Sequence, residues 1–224
     1  FLFFLFWELE LIPMFFLISI WGTGRKEYSA MKFVIFTILG SAFMLVGILA
    51  LYFSTNTFDM TLLPDKIAAA NLIMPASVLF FLTIIGFAIK LPVFPFHTWL
   101  PDAHTDAPTA ASVMLAGVLL KMGGYGMFRI SAAMFPEQLI DYSWLLATLG
   151  VINILYGAAI TVRQTDLKRL IAYSSVSHMG FVLLGISAVK GGTAELAMNG
   201  AALQMFTHGT ITALLFLTVG FIYE

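Results

Sequence analysis

The stretch Lys90-Leu91-Pro92-Val93-Phe94-Pro95-Phe96-His97-Thr98-Trp99-Leu100-Pro101-Asp102-Ala103-His104 follows the apolar run 79–89 and stays largely apolar itself, yet it carries three prolines. Each proline lacks a backbone donor and resists helix continuation. A helix entering this stretch must break, and it breaks among residues apolar enough to lie at membrane depth. Irregular backbone survives there only where it is buried in protein or lines a wet cavity. Broken helices of this kind recur at ion sites in transporters. A re-entrant structural loop is the plainer alternative.

Outward from the break, the chain is too apolar for water. Of 224 residues, 60% are hydrophobic and 10% charged, and 22 are Phe. Soluble domains carry about 25% charged residues, and so few charges cannot cover a soluble surface. This excludes a soluble enzyme and a disordered chain. A net charge of −1 gives no general attraction for phosphate backbones, so no nucleic-acid partner is expected. Cys 0 excludes disulfides, thiolate nucleophiles and iron–sulfur ligation by this chain. What remains is an all-α polytopic membrane bundle in a lipid bilayer. A spanning helix needs about 20 mostly apolar residues. Seven stretches qualify: 1–21, 32–53, 71–90, 108–129, 142–161, 170–189 and 195–223. The third is the one interrupted near residues 90–95. Strands are not expected, because period-2 alternation is absent. The chain opens inside one apolar run and stops as another finishes, which reads as an internal piece of a longer polypeptide.

Loop cations set the orientation. The first, third and fifth connections carry Arg25, Lys26, Lys32, Arg163, Lys168 and Arg169, whereas the second, fourth and sixth carry Lys66, Arg129 and Lys190. The odd connections, 92–107 among them, are therefore expected to face the cytoplasm or its equivalent.

Charge inside a membrane helix costs about 2.5–3.5 kcal/mol on insertion scales, and persists where it is paired, hydrated or functional. Glu8 and Glu10 lie in Phe6-Trp7-Glu8-Leu9-Glu10-Leu11-Ile12-Pro13. They are two residues apart and should point to different faces. Pro13 leaves the Leu9 carbonyl without its donor and loosens the helix beside them. A position near an interface is the other reading for both acids. Lys90 stands at the break, with snorkelling to headgroups as its alternative. Lys121 lies mid-span among Gly117, Gly123, Gly124 and Gly126, which allow close helix approach and room for water. Its alternative is a structural lysine paired with a buried acid. His208 shares a face with Gln204 and titrates near neutral pH; a neutral core histidine fits equally well. For His178 the structural reading is preferred. His97 and His104 stand seven apart with Asp102 and Asp106 nearby, but the prolines between them make a poor zinc pattern. No phosphate-loop or dinucleotide fingerprint is present.

An acid, two lysines and a histidine on separate helices, with a broken helix among them, suggest a proton relay. A carboxylate moving toward or away from a lysine changes that lysine's proton affinity, which makes a switch. We expect the Glu8 and Lys90 side chains to meet, with Glu10 pointing elsewhere, and Lys121 to lie between Lys90 and His208.

These same residues carry a resemblance. The Glu8–Glu10 run, the Lys90 to His104 segment, Leu119-Leu120-Lys121, and Lys168-Arg169-Leu170-Ile171-Ala172-Tyr173-Ser174-Ser175-Val176-Ser177-His178-Met179-Gly180 resemble the antiporter-like proton-pumping subunits of complex I, of the chain 4 or chain M type. The Glu-Leu-Glu-Leu wording resembles the cyanobacterial and plastid branch. The resemblance covers essentially the whole chain. It implies a fourteen-helix subunit with two inverted five-helix repeats, of which this chain holds helices five to eleven. Residues 1–134 would hold most of the first repeat and 135–224 part of the second. It implies that Glu8 pairs with Lys90 on the broken helix, that Lys121 continues a hydrated path, and that His208 is the eleventh-helix histidine. The implied activity is proton translocation coupled to NADH- or NAD(P)H-quinone oxidoreduction. The chain itself would bind no cofactor; NAD(P)H, iron–sulfur clusters and quinone belong to partner membrane and peripheral subunits. The implied location is a bacterial inner membrane or a thylakoid membrane. Subunits of multi-subunit sodium/proton antiporters and of ion-pumping membrane hydrogenases share these features, and a purely structural scaffold is the remaining rival.

Overall fold

Apolar runs wind into helices until a breaker stops them, and the breakers here are few. The computed structural model describes residues 1–223. The first span consists of α1 (Leu2–Leu9) and α2 (Leu11–Trp21), which meet at Glu10. That joint sits where Pro13 denies the Leu9 carbonyl its donor. The second span is α3 (Lys26–Thr55), which Asn56 closes in a left-handed conformation (φ 53°). A short helix, α4 (Leu63–Ala69), lies in the following connection and starts with Pro64 in its first turn.

α5 (Ala76–Lys90) ends at the predicted place. It begins five residues later than the expected 71, because Pro75 stands just before it. Fifteen residues rise about 22 Å, against about 30 Å of hydrocarbon. Residues 91–95 are non-helical, the tight turn Phe96–Thr98 follows, and α6 (Trp99–Asp106) resumes the helix. The interruption predicted near residues 90–95 is therefore present.

The fourth span winds continuously from α7 (Thr109–Met114) through α8 (Leu120–Gly126) to Ala132. Its turns Leu115–Leu119 and Met127–Ala132 are wider, π-helical ones. After the short α9 (Pro136–Asp141) come α10 (Ser143–Val162), α11 (Leu167–Ser187) and α12 (Ala194–Tyr223). The Asp166 carboxylate caps α11 by accepting from the Arg169 amide at 2.8 Å. Among the described residues, six stretches are long and apolar enough to cross a membrane, and α5 is a shorter apolar helix beside them.

The helices approach closely where glycines face one another, as membrane packing demands. A methyl on Gly86 of α5 would stand 2.8 Å from the Gly40 carbonyl of α3, and one on Gly180 of α11 would stand 2.7 Å from the Gly150 carbonyl of α10. One apolar core gathers Phe80, Phe87, Met127 and Phe135, and a second gathers Phe33, Trp99, Leu115 and Leu120. The outside is apolar as well: Phe6, Trp21, Phe206 and Phe221 are exposed. An exterior of this kind faces lipid or other helices, not water.

Connections between alternate spans gather at one end of the bundle, as successive membrane crossings require. The Thr23 amide donates to the Asp106 carbonyl at 2.8 Å, and Ser29 donates to the Asp106 carboxylate at 2.5 Å. Lys168 donates to the Ala107 carbonyl at 2.9 Å. Asp102 pairs with both Lys32 and Arg169 at 2.7 Å. The first, third and fifth connections thus meet at one end of the bundle.

Candidate functional site

Two polar clusters lie inside the bundle. The first surrounds Lys90, which the end of α5 buries almost fully, at 1% exposure. Its ammonium is paired with the Glu10 carboxylate. It also sits 5.0 Å from the Trp7 ring centre and 5.9 Å from that of Phe33, over two aromatic faces that favour a cation. This corrects one expectation: Glu10, not Glu8, holds Lys90. The joint between α1 and α2 at Glu10 is the physical reason, since alternate residues of a straight helix would have pointed apart. Glu8 stands two residues earlier, on the last turn of α1. One Glu8 oxygen, Oε1, is buried without a hydrogen-bond partner among the described residues.

The break beside Lys90 is held from outside its own helix. The Trp99 indole donates to the Ile89 carbonyl at 2.9 Å, and the Val93 amide donates to the Ala88 carbonyl at 2.8 Å. Asn153 of α10 accepts from the Phe94 amide at 2.7 Å and donates to the Pro92 carbonyl at 3.1 Å. α8 reaches the break because residue 123 is Gly; a methyl there would lie 2.7 Å from both the Leu91 nitrogen and the Phe87 carbonyl oxygen.

The second cluster surrounds Lys121, whose ammonium bonds the Ala116 carbonyl inside the wide turn that precedes it. Such turns displace carbonyls from their usual donors and recur at functional sites. The same ammonium lies 2.8 Å from Nδ1 of His208 on α12. Gly209 and Gly117 make the contact possible, for a methyl on Gly209 would meet the Gly117 carbonyl at 2.8 Å. His208 is 4% exposed, and its Nε2 has no hydrogen-bond partner among the described residues. The His178 ring lies 5.4 Å from that of His208, and His178 Nδ1 stands 3.1 Å from the Gln204 amide. Gln204 therefore serves His178, although it shares a helix face with His208.

The rings of His97 and His104 form no hydrogen bond with either cluster. His97 stacks on Phe94 and meets Tyr156 edge-on at 5.0 Å. His104 stacks on Phe216 at 4.5 Å and is fully buried. All four of their ring nitrogens lack a hydrogen-bond partner among the described residues. Sequence reasoning missed two members of the arrangement. Asn153 was readable as an amide in the middle of an apolar span. The double pairing of Asp102 left no local signal, because its partners lie 70 and 67 residues away.

With this geometry in view, the likenesses to known proteins are specific. The transmembrane family described as NADH:quinone oxidoreductase/Mrp antiporter matches residues 1–224, and the chain belongs to that family. A chain 4 of NAD(P)H-quinone oxidoreductase from Picosynechococcus sp. is 51% identical over 227 residues, covering all of this chain and 41% of that protein. The chain thus spans about two-fifths of such a relative. Among solved structures, respiratory complex I from Thermus thermophilus with bound NADH contains a chain 34% identical, with TM-score 0.86, covering 99% of this chain and 46% of that one. The Mrp complex from Dietzia sp. contains one 25% identical, with TM-score 0.82, covering 97% and 40%.

Proposed function

We propose that this chain is part of a proton-translocating membrane subunit of an NAD(P)H-quinone oxidoreductase of the complex I type. The observation that carries the reading is the buried contact between Lys121 and His208 Nδ1. An ammonium donating to a neutral imidazole nitrogen is a pair across which a proton can pass without a charge being stranded in lipid. Nε2 of His208 is then the atom that passes it on. Lys90 supplies the switch. Glu10 holds it in this state, and Glu8 is the acid that receives it in another, so movement between the two changes the proton affinity of Lys90.

Oxidoreduction takes place elsewhere in this reading. NAD(P)H, iron–sulfur clusters and quinone belong to partner subunits, and this chain supplies only the conducting interior. Residues 1–134 hold most of one inverted repeat and 135–224 part of the next, with His97, His104 and His178 lining rather than bearing the relay. A bacterial inner membrane or a thylakoid membrane is the setting that the cyanobacterial relative supports.

The likeness to the Mrp complex supports a second reading, sodium/proton exchange. The higher identity to complex I favours the first. Electron-driven proton uptake by vesicles carrying the assembled complex separates them. Uptake that persists undiminished in sodium-free buffer supports proton pumping; strict dependence on sodium supports the antiporter.

A further inference from the structure

The prolines that break the helix after Lys90 leave backbone groups open among buried residues. Pro92 and Pro95 cannot donate to carbonyls four residues earlier, and the backbone of 91–95 follows no helix. Open backbone groups at this depth cost several kcal/mol each unless another element satisfies them. Asn153 does so from α10. It is fully buried in an otherwise apolar stretch of that helix. Its amide oxygen accepts from the Phe94 amide, one amide hydrogen reaches the Pro92 carbonyl, and the other points to the Val176 carbonyl of α11 at 3.5 Å. The backbone groups fix which end of the amide is which, since an N–H must meet the oxygen and the carbonyls must meet the nitrogen. Three of its four bonding directions therefore meet main chain, and the two shorter bonds are both within the break.

We infer that Asn153 is a positioning residue for Lys90: it clamps the broken segment to α10 and α11 and so fixes where the lysine stands relative to its acids. Aspartate fits the place less well, because it has no amide hydrogens for the two carbonyls. Leucine fills the volume and bonds nothing. The inference rests on the relay reading of Lys90 given above, and the test separates the two.

The test uses the native complex in coupled membranes, with Asn153→Leu, Asn153→Asp, Lys90→Met and the double variant Asn153→Leu with Lys90→Met. Assembled complex, quinone-reductase turnover and protons per electron are measured for each. Asn153→Leu is expected to assemble and turn over, and to lower protons per electron by the same factor as Lys90→Met. The double variant is expected to be no lower than Lys90→Met alone, because both changes disable one device. Asn153→Asp, which keeps an acceptor for the Phe94 amide, is expected between wild type and Asn153→Leu, and it carries the test if the leucine variant does not assemble. Unchanged protons per electron in a variant that assembles overturns the inference. So does a double variant below Lys90→Met, which would give the two residues separate tasks. Failure of both Asn153 variants to assemble makes the residue purely structural and overturns it too. A Lys90→Met complex that pumps normally defeats the relay reading instead.

Discussion

Lys90 has one bonded acid and one unbonded acid, and the two should respond differently to removal of their charge. Glu10→Gln strips a buried ammonium of its ion-pair partner, a change that costs up to about 3–5 kcal/mol where nothing replaces the partner. Glu8→Gln removes a carboxylate whose Oε1 is buried without a partner, so the fold should lose little. Thermal inactivation of the solubilised complex is expected to begin at a clearly lower temperature for Glu10→Gln than for Glu8→Gln. The reverse order would mean that Glu8 holds Lys90. At this scale the sequence located the interior charges but not which pairs they form. Helical periodicity assigned Glu8 and Glu10 to opposite faces, and the joint between α1 and α2 undid that assignment. A pairing decided by a local break cannot be read from spacing that assumes a straight helix.

Among the elements, α8 carries the closest tolerance. A methyl at residue 123 would press on the Leu91 nitrogen and the Phe87 carbonyl, both of them backbone and unable to swing aside. Gly123→Ala should therefore push α8 off the break and destabilise by about 1–3 kcal/mol. Gly200, exposed on α12 with nothing within 4 Å of an added methyl, is the control. Gly200→Ala should be neutral or stabilising by up to about 1 kcal/mol, through helix propensity. Melting of the purified complex compares them, and equal effects would contradict the close approach of α8 to the break. The break itself was legible, because Pro92 and Pro95 stand close together in an apolar run; the third proline, Pro101, sits in the first turn of α6 and does not break it. The wide turns that flank α8 were not legible, since Leu115–Leu119 and Met127–Ala132 hold only residues compatible with an ordinary helix. Short α4 and α9 were hidden for a related reason: each lies in a connection too polar or too brief to register as a span.

For the whole molecule, the count of apolar spans foretold which connections share an end, and Asp102 shows how they are tied. It joins α3 through Lys32 and α11 through Arg169. The three side chains are 13%, 20% and 38% exposed, so solvent screens part of the attraction. Asp102→Asn should cost about 1–2 kcal/mol at low salt. Its deficit in thermal stability should shrink as ionic strength rises; a deficit independent of salt would assign the loss to packing instead. In the proposed relay, what the chain does as a unit rests on Lys121. The ratio of protons moved to electrons transferred, measured in vesicles carrying the assembled complex, addresses that claim most directly when Lys121→Met and Lys121→Arg are compared with the unaltered chain. Methionine removes the titrating group, and arginine keeps the charge but does not release its proton. The account predicts that both variants assemble, both retain electron transfer to quinone when uncoupled, and both lose protons per electron. An unchanged ratio in both would contradict it and leave Lys121 as a structural charge.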